Sequence, residues 1–271
     1  MDVTAKNRIG AILLVILNLS SLLFIGCNNT VKTEIKSISS SAISASYPEV
    51  DDYITQQMEA DNIPGVAVAV VRGDEVVYCK GFGIASVKTN LAVTPQTIFD
   101  LASISKSFTA LGVLLLRDDG LIDLDAPVQQ YLPDLQPNDS LSSYITVRHL
   151  LNHMSGLPGT FSAPIIFQQG DDDMAALVAA MGRVRLNREP GSSFEYADIN
   201  YCLLGALIER VSGITFEDYM QQKIFAPLGM GNTTLYPEEA AAPSRADGHQ
   251  SMYGRVVVRN IPIYRSALPA G

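Results

Sequence analysis

Positive charge is scarce in this sequence: 19 lysines and arginines stand against 28 aspartates and glutamates, a net charge of −9. Neutralising a phosphate backbone needs a basic excess, so a general nucleic-acid binder is excluded. Cysteine is scarcer still, at three residues. That is too few for a disulfide scaffold, and the absence of a CxxC pair removes a zinc knuckle or redox motif. Charged residues make up 17% against 47% hydrophobic, which excludes a disordered, solvating polypeptide. There is no internal repeat. The 271 residues that remain to be explained suffice for one large domain or two small ones with a real core.

The N-terminus reads as an address. Lys6 and Arg8 precede an apolar run, Ala11 to Ile25, followed by Gly26 and Cys27. As a helix the run spans roughly 22 Å, short of a ~30 Å bilayer core, so a secretory signal over residues 1–26 is expected. Leu23 to Cys27 (LFIGC) resembles a bacterial-type lipobox, although Phe24 stands where leucine is usual. The resemblance implies lipidation of Cys27 and an exported lipoprotein held on the cell envelope by its N-terminal lipid; an ordinary signal peptide or uncleaved anchor is the alternative. Residues 27–46 are polar and serine-rich, a flexible tether. In an oxidising compartment Cys79 and Cys202 could pair, though nothing in the sequence brings them together.

Periodicity predicts a helix over 47–60 and two β-branched strands, 66–71 and 75–80, around Arg72-Gly73-Asp74. That triplet is read as a tight turn chosen for its glycine rather than an adhesion motif. Gly81-Phe82-Gly83 lacks the third glycine of a dinucleotide fingerprint. Helices are expected over 98–118, 147–154, 171–181 with the acidic turn Asp171-Asp172-Asp173 at its start, 200–211, and 216–225 capped by Thr215 with Asp218. Strand signal returns at 255–258. Domain 47–271 would thus be mixed α/β.

The chemistry is concentrated in Asp100 to Gly112 (DLASISKSFTALG). On a helix Ser103 and Lys106 are i and i+3 and share a face. Ile104, Phe108, Leu111 and Leu115 form the opposite, apolar side, expected to anchor the helix in a core. A serine hydroxyl is a poor nucleophile until a base takes its proton. A lysine does so only if burial and the helix dipole lower its pKa. Alone, S-x-x-K is weak, and a serine cap followed by a solvated lysine explains it better.

Four ordered blocks change that balance. They are residues 97–132, 145–159 (ITVRHLLNHMSGLPG), 189–213 (EPGSSFEYADINYCLLGALIERVSG) and 216–234. Together they resemble the serine β-lactamase and penicillin-binding superfamily, in particular the branch of class C β-lactamases, D-alanyl-D-alanine carboxypeptidases and family VIII esterases. The resemblance implies a β-lactamase/transpeptidase-like fold, an α/β (α+β) sheet flanked by helices plus a helical part over roughly 120–235. It implies that Ser103 is acylated, that Lys106 is its partner, and that Tyr196, the tyrosine of a Y-x-N motif, moves protons between serine, leaving group and water. The third residue of that motif is Asp198, where the family has asparagine. Its charge would raise the Lys106 pKa and repel a substrate carboxylate, favouring ester or peptide substrates over β-lactams. The family's Lys/His-Thr/Ser-Gly triplet is absent. Ser266 to Gly271 falls where relatives continue for on the order of a hundred residues, so the sheet is expected to be incomplete at the C-terminus.

His149 and His153 stand at i and i+4, but Leu150 replaces the glutamate of a metalloprotease motif, so a packed, hydrogen-bonded histidine pair is expected rather than a metal site. The acidic turn at 171–173 lacks the ligands of a calcium loop. Asp118, Asp119, Asp123 and Asp125 are read as solvating a turn. The expected activity is hydrolysis through an acyl-enzyme on Ser103, with no metal or cofactor. Its substrate would be a small molecule or peptide: a β-lactam, a D-Ala-D-Ala-like peptide or a small ester. The alternative is a degenerate lipoprotein that binds peptide or protein without turnover.

Overall fold

In the computed structural model, residues 46–159, 174–236, 245–252, 255–259 and 265–270 are described. The signal and tether regions 1–45, Cys27 and the acidic turn at 171–173 lie outside them. The described residues belong to one compact unit, residues 36–271. Among them, no helix is long and apolar enough to cross a membrane.

Helix α1 spans Pro48–Asp61 and starts on a proline, whose fixed φ suits the first helical turn. Strands β1 (Gly65–Arg72) and β2 (Glu75–Ser86) pair antiparallel, with Arg72 opposite Glu75. The Arg-Gly-Asp triplet is the turn between them, and Gly73 takes φ +62 there, as a side chain rarely would. Strand β2 runs six residues past the expected limit, because Gly81-Phe82-Gly83 continues the ladder. A two-residue β3 (Leu91–Ala92) completes the order β1-β2-β3. Asp51 on α1 accepts hydrogen bonds from the Tyr78 hydroxyl and Lys80 Nζ on β2, fastening α1 to the sheet. A separate hairpin, β4 (His249–Met252) and β5 (Arg255–Val258), follows.

The helical part consists of α2 (Ser105–Asp118), α3 (Val147–Leu151), α4 (Met174–Ala180), α5 (Asp198–Ser212) and α6 (Phe216–Met220). Thr215 caps α6 as expected, accepting from Asp218 N–H. Beyond Met220 the helix widens into a π turn over Gln221–Phe225. Every residue of α5 from Ile199 to Ile208 is buried, and α2, α3, α4 and α6 pack around it. A helix enclosed on all sides is apolar all round, which fits its Leu203, Leu204, Leu207 and Ile208. Cys202 is buried on α5 and Cys79 on β2; both are free thiols, so they form no disulfide.

Helix α2 departs from expectation in two ways. Its start at Ser105 follows a 3-10 turn, Ala102–Ile104, and residues 98–101 are not helical. Its buried stripe is Lys106, Thr109, Gly112, Val113 and Leu116, not the apolar stripe. Ile104 and Leu111 are 61% and 38% exposed, while Phe108 and Leu115 pack on the core from its flank. The reason lies 160 residues away. A strap at residues 265–270 crosses α2, and its Pro269 and Ala270 carbonyls accept from Thr109 Oγ1 and Lys106 Nζ, so the polar side chains are satisfied in the interior. Gly112 completes the fit, since a Cβ there would stand 3.1 Å from Ile208 Cδ1 on α5.

Candidate active site

Ser103 lies in the 3-10 turn that enters α2, Lys106 one turn later in the first turn of the helix. Ala102, just before the serine, adopts φ +45, a left-handed conformation that costs a non-glycine residue on the order of 1–2 kcal/mol. Tyr196 and Asp198 flank Ala197, the residue that caps α5. Packing of α5 against α2 therefore carries the tyrosine to the serine across 93 residues of sequence.

Ser103 Oγ accepts two hydrogen bonds, from Lys106 Nζ at 3.0 Å and from the Tyr196 hydroxyl at 2.8 Å. The lysine is buried, whereas Ser103 and Tyr196 are exposed on the open side. The Lys106 ammonium has three protons and three oxygens around it: Ser103 Oγ, Ala270 O at 2.6 Å, and Asp198 Oδ1 at 2.8 Å. The last contact is an ion pair of poor angle rather than an aligned hydrogen bond. The ammonium also lies 5.0 Å from the Tyr196 ring centre and 5.9 Å from that of Tyr201.

Burial alone would pull the lysine pKa down, the shift a general base requires. The Asp198 carboxylate and the Tyr196 hydroxyl outweigh it, and the net movement is upward from the ordinary value. This is the direction expected from the Asp198 charge, and it prevails over the lowering that burial and the helix dipole alone would give. In this chain Lys106 is a firmly held cation, and the reason is the aspartate in the slot of asparagine.

All four residues singled out for chemistry, Ser103, Lys106, Tyr196 and Asp198, meet in one place. Both histidines are hydrogen-bonded as expected, though to other residues and not to each other. His149 forms a reciprocal cap with Thr146: Thr146 Oγ1 accepts from His149 N–H, and His149 Nδ1 accepts from Thr146 N–H. His153 lies buried behind Tyr196, with ring centres 4.5 Å apart. Among the described residues no group of three His, Cys, Asp or Glu side chains is arranged to hold a metal. Sequence reasoning missed three participants: Ala270 O, His153 and Asn200. The carbonyl carries no residue-level signal, but a buried asparagine two residues after Asp198, on an otherwise apolar helix, was a visible anomaly.

A cavity of about 350 Å³ lies elsewhere, lined by residues such as Asn62, Pro64, Ile84, Phe99 and His249. It contains none of the four site residues and takes no part in the arrangement around Ser103.

Comparison with known proteins bears on this geometry. Residues 50–270 match the Beta-lactamase family. Penicillin-binding protein 4* of Bacillus subtilis is 31% identical over 192 residues, which is 69% of this chain and 41% of that protein. Among solved structures, the octameric penicillin-binding protein homologue from Pyrococcus abyssi superposes with a TM-score of 0.69 at 32% identity, over 78% of this chain and 50% of that one. A class C beta-lactamase superposes with a TM-score of 0.70 at 25% identity, over 82% of this chain and 58% of that one. The chain thus spans well under two thirds of the length of each of these relatives.

Proposed function

The chain belongs to the beta-lactamase family, and from that premise we propose that it is a serine hydrolase acting through an acyl-enzyme on Ser103. One observation carries this reading: Ser103 Oγ is bonded at once by an amine at 3.0 Å and a phenol at 2.8 Å. With Lys106 fixed as a cation, Tyr196 is the proton carrier, once its own proton has passed to solvent. The phenolate oxygen takes the Ser103 proton as Oγ bonds the acyl carbon. It then delivers that proton to the leaving group as the scissile bond breaks. In deacylation the same oxygen takes a proton from the water whose oxygen bonds the acyl carbon, and returns it to Oγ as the acyl–Oγ bond breaks. The Lys106 ammonium beside the ring is the cation a phenolate there would face.

The substrate we infer is a small ester or peptide rather than a β-lactam. A carboxylate-bearing ligand entering beside Lys106 would meet the Asp198 charge, which already occupies the ammonium. We further propose that Cys27 carries a lipid and holds the domain on the cell envelope. Incorporation of labelled palmitate, lost in Cys27→Ala, is the expected result.

A fluorophosphonate probe tests the central reading. Labelling of the full chain is expected at Ser103 by peptide mass mapping and is abolished by Ser103→Ala. A wild-type chain that stays unlabelled by both this probe and a fluorescent penicillin overturns it. The same ion pair that holds Lys106 protonated favours the second reading, a peptide-binding lipoprotein without turnover, and that result would select it.

A further inference from the structure

His153 is the buried titratable group that the acyl-transfer chemistry leaves unused. It is 8% exposed and takes φ +55, a strained backbone for a side-chain-bearing residue. The strain is maintained by what the residue holds. Its carbonyl accepts Glu195 N–H at 2.8 Å, and its ring Nδ1 accepts Ala197 N–H at 3.2 Å. Those two amides flank Tyr196. The ring itself lies against the Tyr196 ring at 4.5 Å and 34°, with Tyr201 at 5.1 Å on α5 and Phe194 edge-on at 5.8 Å. One residue thus grips the tyrosine by the backbone on both sides and by its ring.

The protonation state of that grip is set by a chain of donors. Leu157 N–H donates to Ser155 Oγ, whose own hydrogen goes to Asn200 Oδ1 at 2.6 Å. This orients the Asn200 amide so that its nitrogen donates to His153 Nδ1 at 3.1 Å. Ala197 N–H donates to the same nitrogen. With two donors aimed at it, Nδ1 must keep its lone pair, and the ring is the neutral tautomer protonated at Nε2. Lys106 on α2, Asp198 and Tyr201 on α5, and Tyr196 are the ionisable groups around it. Burial, and then the Lys106 cation, hold the imidazole below its ordinary pKa, with Asp198 partly opposing them.

We propose that His153 is the positioning residue of this site: its neutral imidazole, accepting through Nδ1, holds the Tyr196 phenol against Ser103, and protonation of the ring releases it. A proton on Nδ1 would face two N–H donors and add a cation beside Lys106, so the 194–197 segment would have to move. The inference rests on the acyl-transfer reading for its kinetic consequence but not for its geometry.

The test uses the full chain with 3-fluorotyrosine at residue 196, read by fluorine NMR, alongside the rate of fluorophosphonate labelling. In the wild type, the fluorine signal should shift and labelling should fall together as acid protonates His153. His153→Phe keeps a ring but loses the acceptor. Its signal should be displaced at every pH and its labelling slowed roughly tenfold or more. In His153→Asn a carboxamide oxygen takes the place of Nδ1. Labelling near neutral pH should recover to within about threefold of wild type, and the acid step in the fluorine signal should vanish, leaving only the fall in labelling that the Tyr196 phenolate itself imposes. A His153→Phe signal identical to wild type, or a His153→Asn protein that keeps the acid step in the fluorine signal, overturns the proposal. Should His153→Phe not fold, the His153→Asn profile decides alone. Should the wild type not be labelled at all, the acyl-transfer reading fails, while the fluorine titration still decides the role of His153.

Discussion

At the scale of the residue, the decisive substitution is the aspartate at 198. The asparagine expected of the Y-x-N motif would offer Lys106 an acceptor without a charge. Asp198 gives it an ion pair at 2.8 Å and moves the ammonium's pKa upward against the effect of burial. The stability consequence has a definite sign. A raised lysine pKa stabilises the folded protein fully below the ordinary lysine value, and that contribution disappears as pH rises through the folded value. Asp198→Asn should remove this alkaline loss. It should also let burial prevail, so that Lys106 gives up its proton more readily and can serve as a second base for Ser103 beside Tyr196, and the pH–rate profile for acylation rises at lower pH than in the wild type. Carboxylate-bearing β-lactams should acylate Ser103 roughly tenfold faster relative to a neutral ester. Stopped-flow acylation across pH measures both, and a profile identical to wild type would show that the Asp198 charge does not govern Lys106.

At the scale of the element, α2 separates what a local pattern specifies from what the fold specifies. Its apolar stripe predicted a core face of Ile104, Phe108, Leu111 and Leu115, yet Val113 is fully buried and Leu111 is 38% exposed. Truncating Val113 to Ala should cost about 1–3 kcal/mol, because buried methyls are lost and a cavity is left. Leu111→Ala should stay within about 0.5 kcal/mol of wild type, as surface changes do. Urea unfolding of the two variants checks the order, and a Leu111 deficit exceeding that of Val113 would restore the face read from periodicity. The hairpin was legible because a two-residue turn with a glycine at φ +62 declares itself locally. Helix α5 was legible because its stripe and its terminal Gly213 agree. The polar stripe of α2 was not, because the carbonyls that satisfy Lys106 and Thr109 come from residues 269 and 270. For the same reason the serine, lysine and tyrosine could be read from short motifs. The histidine behind them, defined by ring contacts and amides from residues 194–201, some forty residues further along the chain, could not.

At the scale of the whole molecule, the strap at 265–270 is what joins the site to the helical core. Arg265 starts it, paired with Glu209 on α5 and with Glu217 on α6 at 2.7 Å. Pro269 then presses on α5 so closely that a Cβ on Gly205 would come within 2.1 Å of its Cγ, and Ala270 O ends on the ammonium. The Glu217 side chain is only 5% exposed, against 28% for Arg265. Removing the arginine alone would strand a carboxylate in the interior. Arg265→Met should therefore destabilise the protein by about 3 kcal/mol, toward the low end of values for broken buried pairs because the arginine keeps some contact with water. Glu217 and Arg265 replaced together, as Glu217→Leu with Arg265→Met, should recover most of that loss. What is costly is the unpaired charge and not the absence of the pair. The acylation rate should separate from stability in this series. If the strap aligns Lys106, the double variant folds nearly as well as wild type but labels Ser103 more slowly, since its apolar clamp fixes residue 265 less directionally than two carboxylates do. Chemical denaturation and probe kinetics on the same three proteins give both numbers. Recovery of stability with no recovery deficit in rate would show that Ala270 O finds Lys106 without Arg265.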